Sequence, residues 1–225
     1  MTPHMGRRAL VLGALGAAAC RRQLRNYNIC VLLDISGSYA EEARRAVPSI
    51  GVIINSMQSN DRLTVGTIQT CSFSNDGVIV DRTFPAAPEE VFRSRVQVFQ
   101  RIQSFFRNPD IATDYTDIRG GVLFSAQTLT GAEALRRVLI IASDLVETPS
   151  PGCGAPSSIR LDGIDVIFAS VTRTEADRRS PDAYAERIAF WDDWARDCGA
   201  ASVQTTPRVS DAANVVLEWR RSGTA

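Results

Sequence analysis

Two uninterrupted apolar runs, each leading into an aspartate, constrain this chain more than any other feature. Ile29 to Leu33 runs into Asp34, and Val138 to Ala142 runs through Ser143 to Asp144. A strand that is apolar at every position has no face for water, so it belongs in a parallel sheet covered on both sides. Segments of helical period separate such runs. Ala43, Val47, Ile50, Ile53, Ile54 and Met57 recur at steps of three and four across Ala40 to Met57. Pro88, Glu89 and Glu90 have the makeup of a first helical turn, and Phe92, Val96, Phe99, Ile102 and Phe106 are expected to form that helix's apolar face. Further helices are expected from Asp117 onward, from Ser180 and Pro181 onward, and from Ser210 through Trp219.

Leu63 to Ile68 and Val78 to Val80 read as strands joined by the turn residues Ser74 to Gly77, a connection short enough to make them antiparallel neighbours. Ile164 to Val171 and Ser202 to Gln204 complete the set. Strands alternating with helices predict an α/β fold: a doubly wound, mostly parallel central sheet, Rossmann-like, with one antiparallel edge strand and helices on both faces. Ligands in such sheets bind beyond the C-terminal strand ends, where the strand order reverses. The 225 residues suit one generous domain, expected over residues 27–221.

The start of the chain reads as an address. Arg7 and Arg8 precede eleven small or apolar residues, Ala9 to Ala19, and then Cys20. That run is too short to span a bilayer and has the layout of a secretory core, so residues 1–19 are expected to be removed. Small residues directly before Cys20 resemble the processing box of bacterial lipoproteins, which implies a lipidated Cys20, a tether through residue 26 and a place in the bacterial cell envelope. A plain signal peptide without lipid is the alternative. Membrane contact is then expected through the lipid anchor only. An oxidising compartment permits disulfides, and Cys153, in a loop, with Cys198, at a helix end, is the candidate pair. Cys30, inside an apolar strand, is expected to be a buried small hydrophobe. Trp191, Trp194 and Trp219 fall at helical spacing and are expected in the core.

Absences narrow the chemistry. The 25 basic residues balance 25 acidic ones and none is a lysine, while the single histidine, His4, lies in the segment expected to be removed. Schiff-base chemistry, a lysine phosphate loop, a histidine base and a histidine-ligated zinc are excluded from the mature chain. With no basic block longer than a pair, no electrostatic grip on nucleic acid is expected. Carboxylates, hydroxyls and arginines remain.

Three polar clusters fall at the expected C-terminal edge: Asp34, Ser36 and Ser38 in DISGS, Thr116 in YTDIRGG, and Asp144 in IIASDL. Oxygen donors alone suit a hard cation such as Mg²⁺ or Mn²⁺. Two bare carboxylates about 5 Å apart repel by roughly 3 kcal/mol at an effective dielectric near 20, and a divalent ion reverses the sign. These carboxylates have a structural alternative, capping helices or bonding turn amides. Asp117, Arg119 and Glu147 lie close in sequence and either tune ligand choice or are solvated loop charges.

DISGS before a helix, the threonine of TDIRGG, and the aspartate of IIASD together resemble the metal-ion-dependent adhesion site of the von Willebrand factor A domain. The resemblance implies that Ser36, Ser38 and Thr116 coordinate the cation directly and that Asp34 and Asp144 act mainly through coordinated water. It also implies a non-enzymatic module completed by a carboxylate from a protein partner. The chain departs from the pattern at Leu145, where the family often has glycine. Two other functions compete: a metal-independent scaffold of the same fold, and a Mg²⁺-dependent phosphatase with Asp34 as nucleophile. The latter generally needs an acid two residues on, where this chain has Ser36.

Overall fold

The structure, a computed structural model, describes residues 26–153, 158–180 and 182–223. The expected leader, residues 1–19, and the candidate lipidation site Cys20 lie outside the described residues. Six strands form one sheet: β1 (Tyr27–Asp34), β2 (Arg62–Ile68), β3 (Val78–Thr83), β4 (Arg136–Ala142), β5 (Ile164–Ala169) and β6 (Ser202–Thr206). Their order is β3-β2-β1-β4-β5-β6, with β3 antiparallel to β2 and every other pair parallel. The chain winds outward from β1 in one direction, then returns to β4 on its other side. That reversal, between β1 and β4, is where a doubly wound sheet opens a crevice.

The apolar runs occupy the centre, as their lack of a polar face demands. All eight residues of β1 are buried, and so are all six of β5. Alternation sorts them onto two cores. Ile29, Val31 and Leu33 with Val138 and Ile140 face α1 (Ala40–Ser56), α2 (Pro88–Phe106) and α6 (Val209–Ser222). Cys30 and Leu32 with Leu139 and Ile141 face α3 (Ile118–Thr130) and α5 (Ala183–Asp197). Burial pushes the Cys30 thiol up to about 12, so it behaves as an unreactive apolar group. Trp191 is buried in the second core, and Trp194 and Trp219 pack against the two cores partly buried.

One expectation about a helix face is corrected, and one short helix is added. The buried stripe of α2 is Val91, Ser94, Val98, Ile102 and Phe106, whereas Phe92 is 69% exposed and Val96 41%. Both stripes have helical period; the seat of α2 against α1 and the edge strand β3 selects the first. A short helix, α4 (Glu175–Arg179), was not anticipated, being too brief and charged to show a period. Its capping box joins Thr174 and Asp177, each side chain accepting from the other's backbone amide.

The expected Cys153–Cys198 pairing is also corrected. Cys153 bonds Cys71 across 82 residues, and Cys198 is free. Cys198 closes α5 beside β6, while the Cys153 loop lies over the C-terminal sheet edge beside the segment after β2. Sequence proximity to turns does not report which loops share an edge.

α3 starts where the sequence signals it, with Asp117 as its N-cap. This carboxylate accepts from Gly120 N at 2.8 Å and from Ser72 N at 2.9 Å, and Asp117 N donates to Gln69 O. The residue is therefore a buried helix cap and not a solvated loop charge. A Cβ at position 120 would run into this carboxylate. Two measurements check these points. Gly120→Ala, stabilising by about 1 kcal/mol from helix propensity alone, should instead destabilise by roughly 1–3 kcal/mol through the displaced cap, read by urea melts. Peptide mapping of the unreduced protein should recover Cys71 linked to Cys153, with Cys198 alkylated in the native state and Cys30 only after unfolding.

Candidate metal centre

The crevice between β1 and β4 is built from a run of serines and two buried aspartates. Asp34, the last residue of β1, has no exposed surface. Its Oδ1 accepts from Ser36 N at 2.8 Å and its Oδ2 from Ser143 Oγ at 2.6 Å. Ser143 Oγ itself accepts from Leu145 N at 2.9 Å, so its single proton points at Asp34. Asp34 is thus met only by donors, the pattern of an ionised carboxylate. Burial raises its carboxyl above the usual range, the bonds from Ser143 and Ser36 oppose this, and the neighbouring Asp144 adds to the rise.

From Asp34 the network crosses the crevice. Ser36 Oγ lies 3.3 Å from Ser38 Oγ, and Ser38 Oγ donates to Asp144 Oδ2 at 2.9 Å. The other Asp144 oxygen accepts from Val146 N at 3.0 Å. Asp34, Ser36 and Asp144 are buried while Ser38 is exposed, so the cluster reaches solvent on the Ser38 side. The turn carrying Asp144 is held in shape by Leu145, whose φ of 62° lies in the left-handed region. Glycine takes that conformation freely, and here Leu145 holds it with its side chain buried in the second core. Gly37, by contrast, has room for a Cβ, so the DISGS turn does not demand glycine there.

Thr116 reaches the same edge through its backbone. Its N and O exchange bonds of 3.0 Å with Thr148, four residues after Asp144, while Thr113 bridges Ser36. Thr116 is 3% exposed. Asp34, Ser36, Ser38 and Asp144 are therefore joined by hydrogen bonds directly, and Thr116 stands on a strand-like segment fastened to both of their loops. Cys71–Cys153 adds a covalent tie between the segment after β2 and the loop after Asp144.

Arg187, which no motif marks, completes the surroundings together with Trp191, Arg119 and Glu147. Arg187 donates from Nε to the Asp144 carbonyl at 2.8 Å and forks onto Asp177 with two bonds of 2.7 Å. Trp191 Nε1 donates to Leu145 O at 2.9 Å. Arg119 and Glu147, expected as rim or solvated charges, form an ion pair at 2.5 Å, and Glu147 also accepts from Arg119 N. The Arg119 guanidinium lies 5.3 Å from the Trp191 ring centroid and 5.7 Å from that of Trp194. None of these partners has a local sequence signature, because each meets the site from another element.

The donor set fits a hard cation. It is oxygen only, two carboxylates and hydroxyls, which suits a hard cation and not zinc or copper; among the described residues no group of three or more His, Cys, Asp or Glu is placed to hold a metal ion. Of the four other buried aspartates among the described residues, Asp117 is the cap of α3 and accepts from backbone amides, while the remaining three carry an ion pair. Asp61, Asp165 and Asp177 each form an ion pair with an arginine: Arg220, Arg136 and Arg187. Among the described residues no arginine pairs with Asp34 or Asp144.

No protein-family model matches the sequence, and no curated protein sequence does. Solved structures do match in shape. The chain superposes on a von Willebrand factor type A protein from Catenulispora acidiphila with a TM-score of 0.52 and 8% identity, over 87% of this chain and 42% of that one. The pilus adhesin SpaC from Lactobacillus rhamnosus GG gives 0.51 and 10%, over 89% and 30%. The PilB minor pilin from Streptococcus sanguinis gives 0.50 and 8%, over 89% and 61%. The chain thus spans less than two thirds of each of these proteins, and at such identities the likeness is one of fold. With strand order, switch point and polar loops as described, the chain has the von Willebrand factor A fold.

Proposed function

We propose that this chain is an exported, non-enzymatic binding module that holds one divalent cation, Mg²⁺ or Mn²⁺, on Asp34, Ser36, Ser38, Thr116 and Asp144, and offers it to a carboxylate of a protein partner. The observation that carries the reading is the missing counter-charge. Of the four other buried aspartates, Asp61, Asp165 and Asp177 are matched by arginines and Asp117 caps α3, whereas Asp34 and Asp144 are two acids joined into one network by serine hydroxyls with no ion pair to either among the described residues. Burying ionised groups without a partner is costly, and a cation is the partner this oxygen set accommodates.

A bound Mg²⁺ or Mn²⁺ supplies a Lewis-acidic point that takes up an anionic oxygen. Neutral hydroxyls from Ser36, Ser38 and Thr116 leave its charge less quenched than carboxylates would, which favours an acidic ligand. Ser143 orients Asp34, and Arg187 holds the carbonyl of Asp144, so the two acids keep their spacing. The adhesin and pilin likeness supports an adhesion-type role at the level of fold. The phosphatase alternative generally needs an acid two residues beyond its nucleophile, where this chain has Ser36, and it needs phosphorus to reach Asp34, which is fully buried.

Export belongs to the same proposal. Cys71–Cys153 is a bond that persists in oxidising compartments. Among the described residues no helix is long and apolar enough to cross a membrane. Membrane attachment is proposed through lipid on Cys20.

Calorimetry of the chain with Mg²⁺ should show a single site that Asp34→Ala abolishes. At Mg²⁺ a hundred-fold above Kd the stabilisation is about 2.7 kcal/mol, or roughly 5–10 °C in Tm for a protein of this size. A folded chain showing neither heat nor a shift in Tm would overturn the reading. Ser143→Ala should weaken Mg²⁺ binding while Ser143→Thr retains it, since only the hydroxyl is needed to orient Asp34.

The pH dependence has a definite sign. Because the folded carboxyl of Asp34 titrates above its unfolded value, its share of stability is greatest in acid and falls as pH rises through the raised folded value. A cation relieves that cost only when Asp34 is ionised. The Mg²⁺-induced rise in Tm should therefore be larger at neutral than at mildly acidic pH, and Asp34→Asn should remove the difference.

A further inference from the structure

A groove of about 760 Å³ opens directly beside the aspartate cluster. Ser38 and Asp144 line it, and Val146, Ala176, Phe190 and Trp191 are among the residues that share its wall. Resting on the cation reading above, we propose that this groove is the specificity half of the site. Its occupant is a protein segment in which an acidic residue, held at the Ser38–Asp144 end, is followed by a bulky uncharged apolar side chain that lies against Phe190 and Trp191.

Charge complementarity selects that chemistry. Three further charged residues line the groove, and each is already matched: Glu147 by Arg119, Glu175 by Arg178, and Arg187 by Asp177. Asp144 is the one charged lining residue with no ion pair among the described residues, and a cation bound beside it attracts an anion. Beyond it the walls are mainly apolar and reward burial of hydrocarbon. The occupant is accordingly charged at one end and apolar at the other.

The groove is also preformed. Trp191 is fixed to Leu145 O, one residue from Asp144, and Arg119 holds Glu147 while stacking on Trp191. The cluster and the apolar wall form one bonded unit, so little ordering is lost on binding. Small acids favour enclosure over most of their surface. Here Phe190 remains 51% exposed and Ser38 is open to solvent, which favours a segment laid along a trough over a small molecule swallowed by a pocket.

The test uses the full chain with Mg²⁺ and fluorescently labelled, blocked peptides of equal charge, in which one aspartate is followed by Leu, Phe or Trp, or by Gly or Ser. Polarisation should report binding of the apolar-flanked peptides roughly tenfold tighter or more, lost on chelation. Phe190→Ser, at an exposed position, and Ala176→Trp, which fills the trough, should both erase the preference while calorimetric Mg²⁺ affinity is unchanged. Equal binding of the two peptide sets, or no peptide binding by Mg²⁺-loaded chain, overturns the proposal and leaves the cation reading standing. Failure to bind Mg²⁺ overturns the cation reading itself. Tighter Mg²⁺-dependent binding of decanoate than of any peptide overturns the protein segment as occupant in favour of a carboxylic amphiphile.

Discussion

One hydroxyl, that of Ser143, holds the crevice together. It receives the Leu145 amide and gives its proton to Asp34, and so joins the end of β1 to the turn after β4 at the point where the strand order reverses. The rest of the edge is arranged around that link. Ser36 and Ser38 carry it across to Asp144, Tyr39 continues it to the end of β5 by donating to Ser170 O, and Arg187 and Trp191 grip the turn from α5. The two carboxylates are linked to one another through serine hydroxyls.

The absence of lysine shapes the remainder of the molecule. Guanidinium forks reach carbonyls that would otherwise lack partners: Arg101 bonds Ile79 O on the edge strand β3, Arg196 reaches Val203 O on the opposite edge strand β6, and Arg95 bonds Met57 O at the end of α1. Capped edges are poor templates for strand addition. At the far end of the sheet the buried Asp61 accepts from Tyr27 N, Gln58 N and Arg220, whose guanidinium lies 4.0 Å from the Tyr27 ring centroid. A planar fork with several donors suits this kind of tie better than a single ammonium. Asp34 and Asp144 have no such ion pair among the described residues, and nor does Asp117, the cap of α3.

Local physics made most of the fold legible. A strand without a polar face is buried on both sides wherever it lies, so β1, β4 and β5 were readable from residues such as Ile29 to Leu33 alone. Asp117 was readable as a helix start because its carboxylate is chemically suited to bond free amides two or three residues on. The apolar face of α2 was not readable, because Phe92 and Val91 lie on stripes of equal period and only α1 and β3 decide between them. The Cys71–Cys153 pair was not readable either, since it depends on two loops separated by 82 residues reaching the same edge.

The candidate site divides along the same line. Its donor types and their order, Asp34, Ser36, Ser38, Thr116 and Asp144, are properties of the chain, as is the exclusion of lysine and of nearly all histidine chemistry. That Ser143 orients Asp34, that Arg187 forks onto the Asp177 carboxylate while reaching Asp144 only at its carbonyl, and that an apolar trough lined by Phe190 and Trp191 adjoins the crevice were decided by tertiary structure. Residue identity fixes what an atom can donate, accept or exclude; which partner it meets depends on the packing of helices and loops that are distant in sequence.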